Sequence, residues 1–163
     1  MRTSVITALL MLLALCAWGQ TAIYVGGGPS IYSQTSPRGA GNLTVGICTQ
    51  EGGTCSLTTF EARGSAGDLA SLVYSTQTGM LQRIASVAAK PGRFDLFSLA
   101  QAGASVTGSA VGFAGGAGGG LSFHPSGAPN WSVSIAMRAV YSPVNPGWQP
   151  WGSIHVGYTF RTQ

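Results

Sequence analysis

Ser122 and His124, and again Ser153 and His155, stand two residues apart, the spacing that puts both side chains on one face of an extended strand. A serine bonded to a histidine serves as nucleophile and base in acyl transfer when an acid orients the ring. Glu61 or Asp95 would have to supply that acid. Cys48 and Cys55 flank Thr49 to Thr54, whose Gly52 and Gly53 suit a tight hairpin. In an oxidising compartment that spacing predicts a cross-strand disulfide. Two cysteines with two distant histidines match no zinc spacing, so no metal is expected. The run from Gly115 to Gly120 has the composition of a phosphate cradle, but no Lys-Ser or Lys-Thr follows it and no helix start is evident. No cofactor is expected.

The elements that must position these residues are strands. From Trp131 to Tyr141 the chain alternates, with Trp131, Val133, Ile135, Met137, Ala139 and Tyr141 on one parity and Ser132, Ser134, Ala136, Arg138 and Val140 on the other. The carboxyl end repeats this, Ile154, Val156, Tyr158 and Phe160 opposing Ser153, His155, Gly157 and Thr159. Extended segments are expected near residues 22 to 34, 41 to 49, 55 to 64, 71 to 87, 91 to 105, 111 to 124, 131 to 142 and 150 to 161, separated by Gly-, Pro- and Asp-containing turns. Pro29 predicts a bulge or local break within the first. In the fifth, Asp95 and Gln101 share parity with Phe97 and Leu99, which leaves its orientation open.

Arg2 followed by a run from Val5 to Trp18, apolar except for Thr7, reads as a signal peptide. Small residues at Ala17 and Gly19 place cleavage before Gln20, giving residues 1–19 as leader and 20–163 as one domain. A lipoprotein signal through Cys16 is the rival, opposed by the bulky Leu15. Of the eight Lys and Arg, Arg2 leaves with the leader, and seven face four Asp and Glu. They are scattered, so nucleic acid is not an expected partner. Charged residues make up 7% of the chain, which also holds 25 glycines. A soluble domain carries about 25% charge, so much of this surface is expected to meet something other than water. No later apolar run reaches the ~20 residues of a spanning helix, and only a closed sheet could satisfy the backbone in lipid.

With these features, and with a last strand running from Trp151 to Phe160, the chain resembles the small eight-stranded outer-membrane barrels (OmpA/OmpX-like). The resemblance implies an all-β, antiparallel up-and-down transmembrane barrel in the outer membrane, expected to be a monomer. Ile154, Val156, Tyr158 and Phe160 would be the signal read by the barrel-assembly machinery, although Arg161, Thr162 and Gln163 follow Phe160. Trp131, Tyr141 and Trp151 are expected in the aromatic girdles that meet the lipid headgroups. Eight strands enclose a lumen about filled by side chains. Its polar set is expected to include Arg83, Arg138, Ser132, Ser134, Ser153, His155, Glu61 and Asp95, with Arg138 or Arg83 near Glu61 or Asp95. If both termini face the periplasm, residues 35–40, 65–70, 106–110 and 143–149 form short outer loops. The plainest function is then structural, with at most a narrow gated leak. Two alternatives stand beside it. Related barrels that modify lipid A suggest a hydrolase, yet their order, His then Ser two residues later, is reversed here, and no enzyme is expected. A secreted, Gly-rich β-sandwich would show the same strand count, but needs a charged outer face.

Overall fold

Strict alternation of large apolar with small or polar residues is satisfied only by extended chain, and every expected segment is a strand. The structure is a computed structural model and describes residues 21–32, 39–49, 53–63, 73–107, 110–142 and 145–161. The strands are β1 (Thr21–Tyr32), β2 (Gly39–Thr49), β3 (Thr54–Arg63), β4 (Val73–Ala89), β5 (Gly92–Thr107), β6 (Ala110–Pro125), β7 (Trp131–Ser142) and β8 (Asn145–Arg161). Each pairs antiparallel with the next, and β1 pairs with β8, so the sheet closes into a barrel. Closure replaces the sandwich alternative, whose two sheets would leave edges. The leader and its cleavage site lie outside the described residues, as do 35–38, 65–70, 108–109 and 143–144 of the expected loops.

A path of register partners that leaves β1 at Ala22 and runs once round the sheet returns to β1 at Tyr32, a stagger of ten residues. For eight strands spaced ~4.8 Å apart with a rise of ~3.3 Å per residue, that stagger tilts the strands by about 40° and sets a backbone radius of about 8 Å. Such coiling brings neighbouring backbones close. A methyl group at Gly118 would collide with the Met137 carbonyl oxygen, and one at Gly79 with that of Ala100.

The apolar row of β7 faces outward, with Ile135 57% and Met137 70% exposed, and Ile154, Val156 and Phe160 of β8 continue it. From Trp131 to Tyr141 the tilted strand rises about 25 Å, the height of a lipid-facing band. Aromatic pairs mark both rims: Trp131 meets Tyr158 at 5.1 Å at the end where β1 begins and β8 finishes, here the terminal end. At the opposite, far end, Tyr141 meets Trp148 at 6.1 Å. Trp151 does not belong to this girdle. It is 2% exposed and points into the lumen, because it shares parity with Ser153 and His155 rather than with Ile154.

The fifth strand turns Asp95, Phe97, Leu99 and Gln101 inward together, so its lumen face mixes polar and apolar residues. At Pro29 there is a local break without a bulge. The β1–β8 ladder skips Gly28 and Pro29 and resumes in the same register, as a residue without an N–H requires. β8 begins at Asn145, earlier than expected: Gln149 and Pro150 still pair with β7.

Cys48 and Cys55 are register partners joined by a disulfide across the β2–β3 hairpin. The loop is short, so the bond stabilises by about 2 to 3 kcal/mol in the chain-entropy model. Replacing both cysteines with serine should lower the unfolding free energy in bilayers by about that amount, read from the urea midpoint. Thiol labelling of the denatured, non-reduced wild type should modify neither residue.

Candidate functional site

Eight strands at a radius of about 8 Å leave an interior that side chains must fill, and they do so in three belts. The first lies towards the far end. Glu61 of β3 accepts hydrogen bonds from Ser30 Oγ at 3.0 Å and from Trp151 Nε1 at 2.9 Å. Arg138 of β7 donates to Gln77 Oε1 at 3.4 Å and to Gln101 Oε1, and its guanidinium carbon lies 3.8 Å from the Trp151 ring centre. Gln101 Nε2 in turn donates to Thr59 Oγ1 at 2.9 Å, and Thr59 shares a hydrogen bond with Thr44. Strand β6 presents glycines at this level, and the other seven strands each contribute a residue to the network. All of these residues are buried. Charge here is tolerable because it is multiply bonded.

The second belt lies at the terminal end, around Asp95. Its carboxylate accepts from Ser86 Oγ at 2.6 Å and pairs with Arg93 Nη2 at 3.0 Å, with Arg83 Nη1 at 4.0 Å and with His124 Nε2 at 3.3 Å. A bulge makes this possible. Arg83 pairs with Phe97 and Ala85 with Leu96, so Ile84 is an extra residue that swings outward. Arg83 and Ser86, three apart and of opposite parity, then face the same carboxylate.

Ser122 and His124 are also here, with Ser122 Oγ 3.2 Å from His124 Nε2 and a further bond from Ser134 Oγ at 3.0 Å. The sequence pattern thus brings serine, histidine and acid together. Both contacts, however, meet at one ring nitrogen. A nucleophilic triad needs the acid on one nitrogen and the serine on the other, so this arrangement provides no relay through the ring. The other pair does not form: Ser153 Oγ and His155 Nε2 are buried without a hydrogen-bond partner. Among the described residues no group of three or more His, Cys, Asp or Glu could hold a metal ion.

Between these belts lies an apolar one, made by Leu57, Phe97, Leu99 and Ala136 with the partly buried Leu81 and Tyr24. Methyl groups on Gly26 or Gly157 would overlap the Tyr24 ring, and the Phe97 ring lies over Gly120, so aromatics fill the space these glycines leave. The cavity that remains, of about 120 Å³, runs from Arg161 at the terminal mouth to Arg138 and Trp151.

Every lumen residue expected from the sequence faces inward: Ser132, Arg138, Ser153, Glu61 and Asp95 are buried, and Arg83, Ser134 and His155 are partly so. The expected ion pair is the one between Arg83 and Asp95. Ser86 lies behind the bulge and Ser30 follows the proline that obscures β1, so neither belongs to the expected set; Trp151 is expected in the girdle, although its parity with Ser153 points it inward. Glu61→Leu would leave the Trp151 and Ser30 donors buried and unpaired, at a cost of about 3 kcal/mol, while Glu61→Gln should cost less than half as much. Urea unfolding of the two variants in bilayers reads the difference.

No protein-family model matches this chain, and neither does any curated protein sequence. Solved structures do. The amino-terminal β-barrel domain of OprF from Pseudomonas aeruginosa superposes with a TM-score of 0.55 at 11% identity, over 87% of this chain and 99% of that one. Neisserial surface protein A superposes with a TM-score of 0.55 at 11% identity, over 87% of this chain and 97% of that one. At such identity the likeness is one of architecture, and the chain has the fold of the eight-stranded outer-membrane barrels.

Proposed function

We propose that this chain is a small barrel of the bacterial outer membrane with a structural, envelope-stabilising role, exported by its leader and inserted as a monomer by the barrel-assembly machinery. The observation that carries the reading is the contrast between the two sides of one sheet. Outside, between the aromatic rims, large apolar side chains are exposed on strand after strand. The described charged side chains point inward or lie at the terminal rim. A soluble surface of that composition would aggregate, whereas lipid solvates it. Inside, the Glu61 and Arg138 network joins side chains from seven strands across the lumen, which leaves no wide aqueous path. The outward row of Ile154, Val156 and Phe160 on the last strand supports recognition by the assembly machinery. Catalysis is not part of the reading, since Ser122, His124 and Asp95 meet at a single nitrogen.

Two measurements test it. The membrane-extracted protein should migrate faster before boiling than after and should fractionate with outer membranes; a soluble, unshifted protein would overturn the barrel. In planar bilayers the wild type should show no sustained openings, and Arg138→Ala should behave alike, because Gln77, Gln101, Trp151 and the apolar belt remain. A conductance that appears only in Arg138→Ala would replace the plug with a gate.

A further inference from the structure

Lumen closure at the Arg138 belt leaves the terminal half of the barrel as a blind column, and its chemistry is unlike that of either end. Its middle is walled by Leu57, Leu81, Phe97, Leu99 and Ala136, and it is bounded by the Asp95 cluster towards the mouth and by Arg138 and Gln101 at depth. An apolar cavity of about 150 Å³ in a protein interior stays dry and takes up benzene, and the volume here, about 120 Å³, is of that order. Thr44, Thr59, Ser134 and His155 add polar groups to the lining. Thr44, Thr59 and Ser134 are hydrogen-bonded, whereas His155 Nε2 is buried with no hydrogen-bond partner, and its ring is held edge-on at 6.4 Å from Trp151. A buried, unpaired ring nitrogen costs free energy that a ligand with one matching group would recover.

We propose that this column binds small, neutral, monocyclic aromatic alcohols, with the ring among Leu57, Phe97 and Leu99 and the hydroxyl on His155 Nε2. A hydroxyl both donates and accepts, so it satisfies that nitrogen in either tautomer. Neutrality follows from the lining, because an ion would surrender its hydration in the apolar belt without a free counter-charge there. Size follows from the barrel. At a radius of about 8 Å, with Tyr24 and Phe97 already filling the glycine wall, a second ring has no room. Entry is from the terminal mouth, past Thr159 and Arg161, which line the same cavity.

The test uses the full mature protein in phospholipid nanodiscs, free of detergent whose tails would compete, with 4-fluorophenol and fluorobenzene as probes followed by fluorine NMR. Wild type should give a saturable 4-fluorophenol signal that unlabelled phenol displaces, beyond the partitioning seen in empty nanodiscs. Ala136→Phe, which fills the column, should abolish it. His155→Phe should weaken 4-fluorophenol by about three- to tenfold, the worth of one neutral hydrogen bond, and leave fluorobenzene unchanged. Heat-modifiable migration establishes that each variant is folded, and Ala136→Leu serves if Ala136→Phe is not. Partitioning without displacement, full binding in the filled variant, or equal loss of both probes in His155→Phe would each overturn the proposal.

Discussion

Everything in this molecule follows from the pairing of β1 with β8 in a register staggered by ten residues. In hydrocarbon an unpaired N–H or C=O costs several kcal/mol, and a sheet can avoid that cost only by having no edge. Once the sheet is closed, strand number and stagger leave no freedom in radius. Side-chain chemistry is then divided by geometry alone: one parity must suit lipid, and the other must fill a cylinder of fixed width. The aromatic pairs at the rims, the glycines on β6 and the Glu61 network are separate answers to that one constraint.

The two halves of the division were not equally legible. The outer face reads directly from sequence, because lipid asks for a single property at every second position, and β7 and β8 show it without interruption. The lumen asks for volume as well as polarity. A barrel of this width is packed like a core, so Phe97 and Leu99 sit on the same face as Asp95 and Gln101, and Trp151 sits beside Ser153. A rule of polar residues inward therefore leaves the orientation of β5 open and sends Trp151 to the wrong place. The bulge at Ile84 hides for a different reason. A bulge changes parity within a strand, and nothing local to Arg83, Ile84 and Ser86 announces it; its cause is distant, in the one carboxylate that both Arg83 and Ser86 approach.

The serine and histidine pairs carry a related lesson. Spacing by two guarantees a shared face, and Ser122 does reach His124. It does not settle which ring nitrogen is used, and chemistry depends on that choice. With Asp95 and Ser122 converging on the same nitrogen, the cluster has the composition of a triad without its connectivity, and it lines the terminal mouth. Its members hold Arg83 and Arg93 in place, and the charge balance of the mouth rests on them.

Filling and emptiness in the lumen have a common origin. Close approach of strand backbones forces glycine at positions such as Gly118 and Gly79, which removes side-chain volume from the wall. That volume has to be returned by residues reaching across. Tyr24 returns it over Gly26 and Gly157, Phe97 over Gly120, and Arg138 with Trp151 where the network crosses the barrel. Between these crossings the inward residues include Ala22, Ala136 and the Cys48–Cys55 bridge, all too short to reach the axis. A void at that depth is therefore not a packing defect in an otherwise complete core. It lies where short residues coincide with a wall of glycines, and one substitution, at Ala136, is enough to close it.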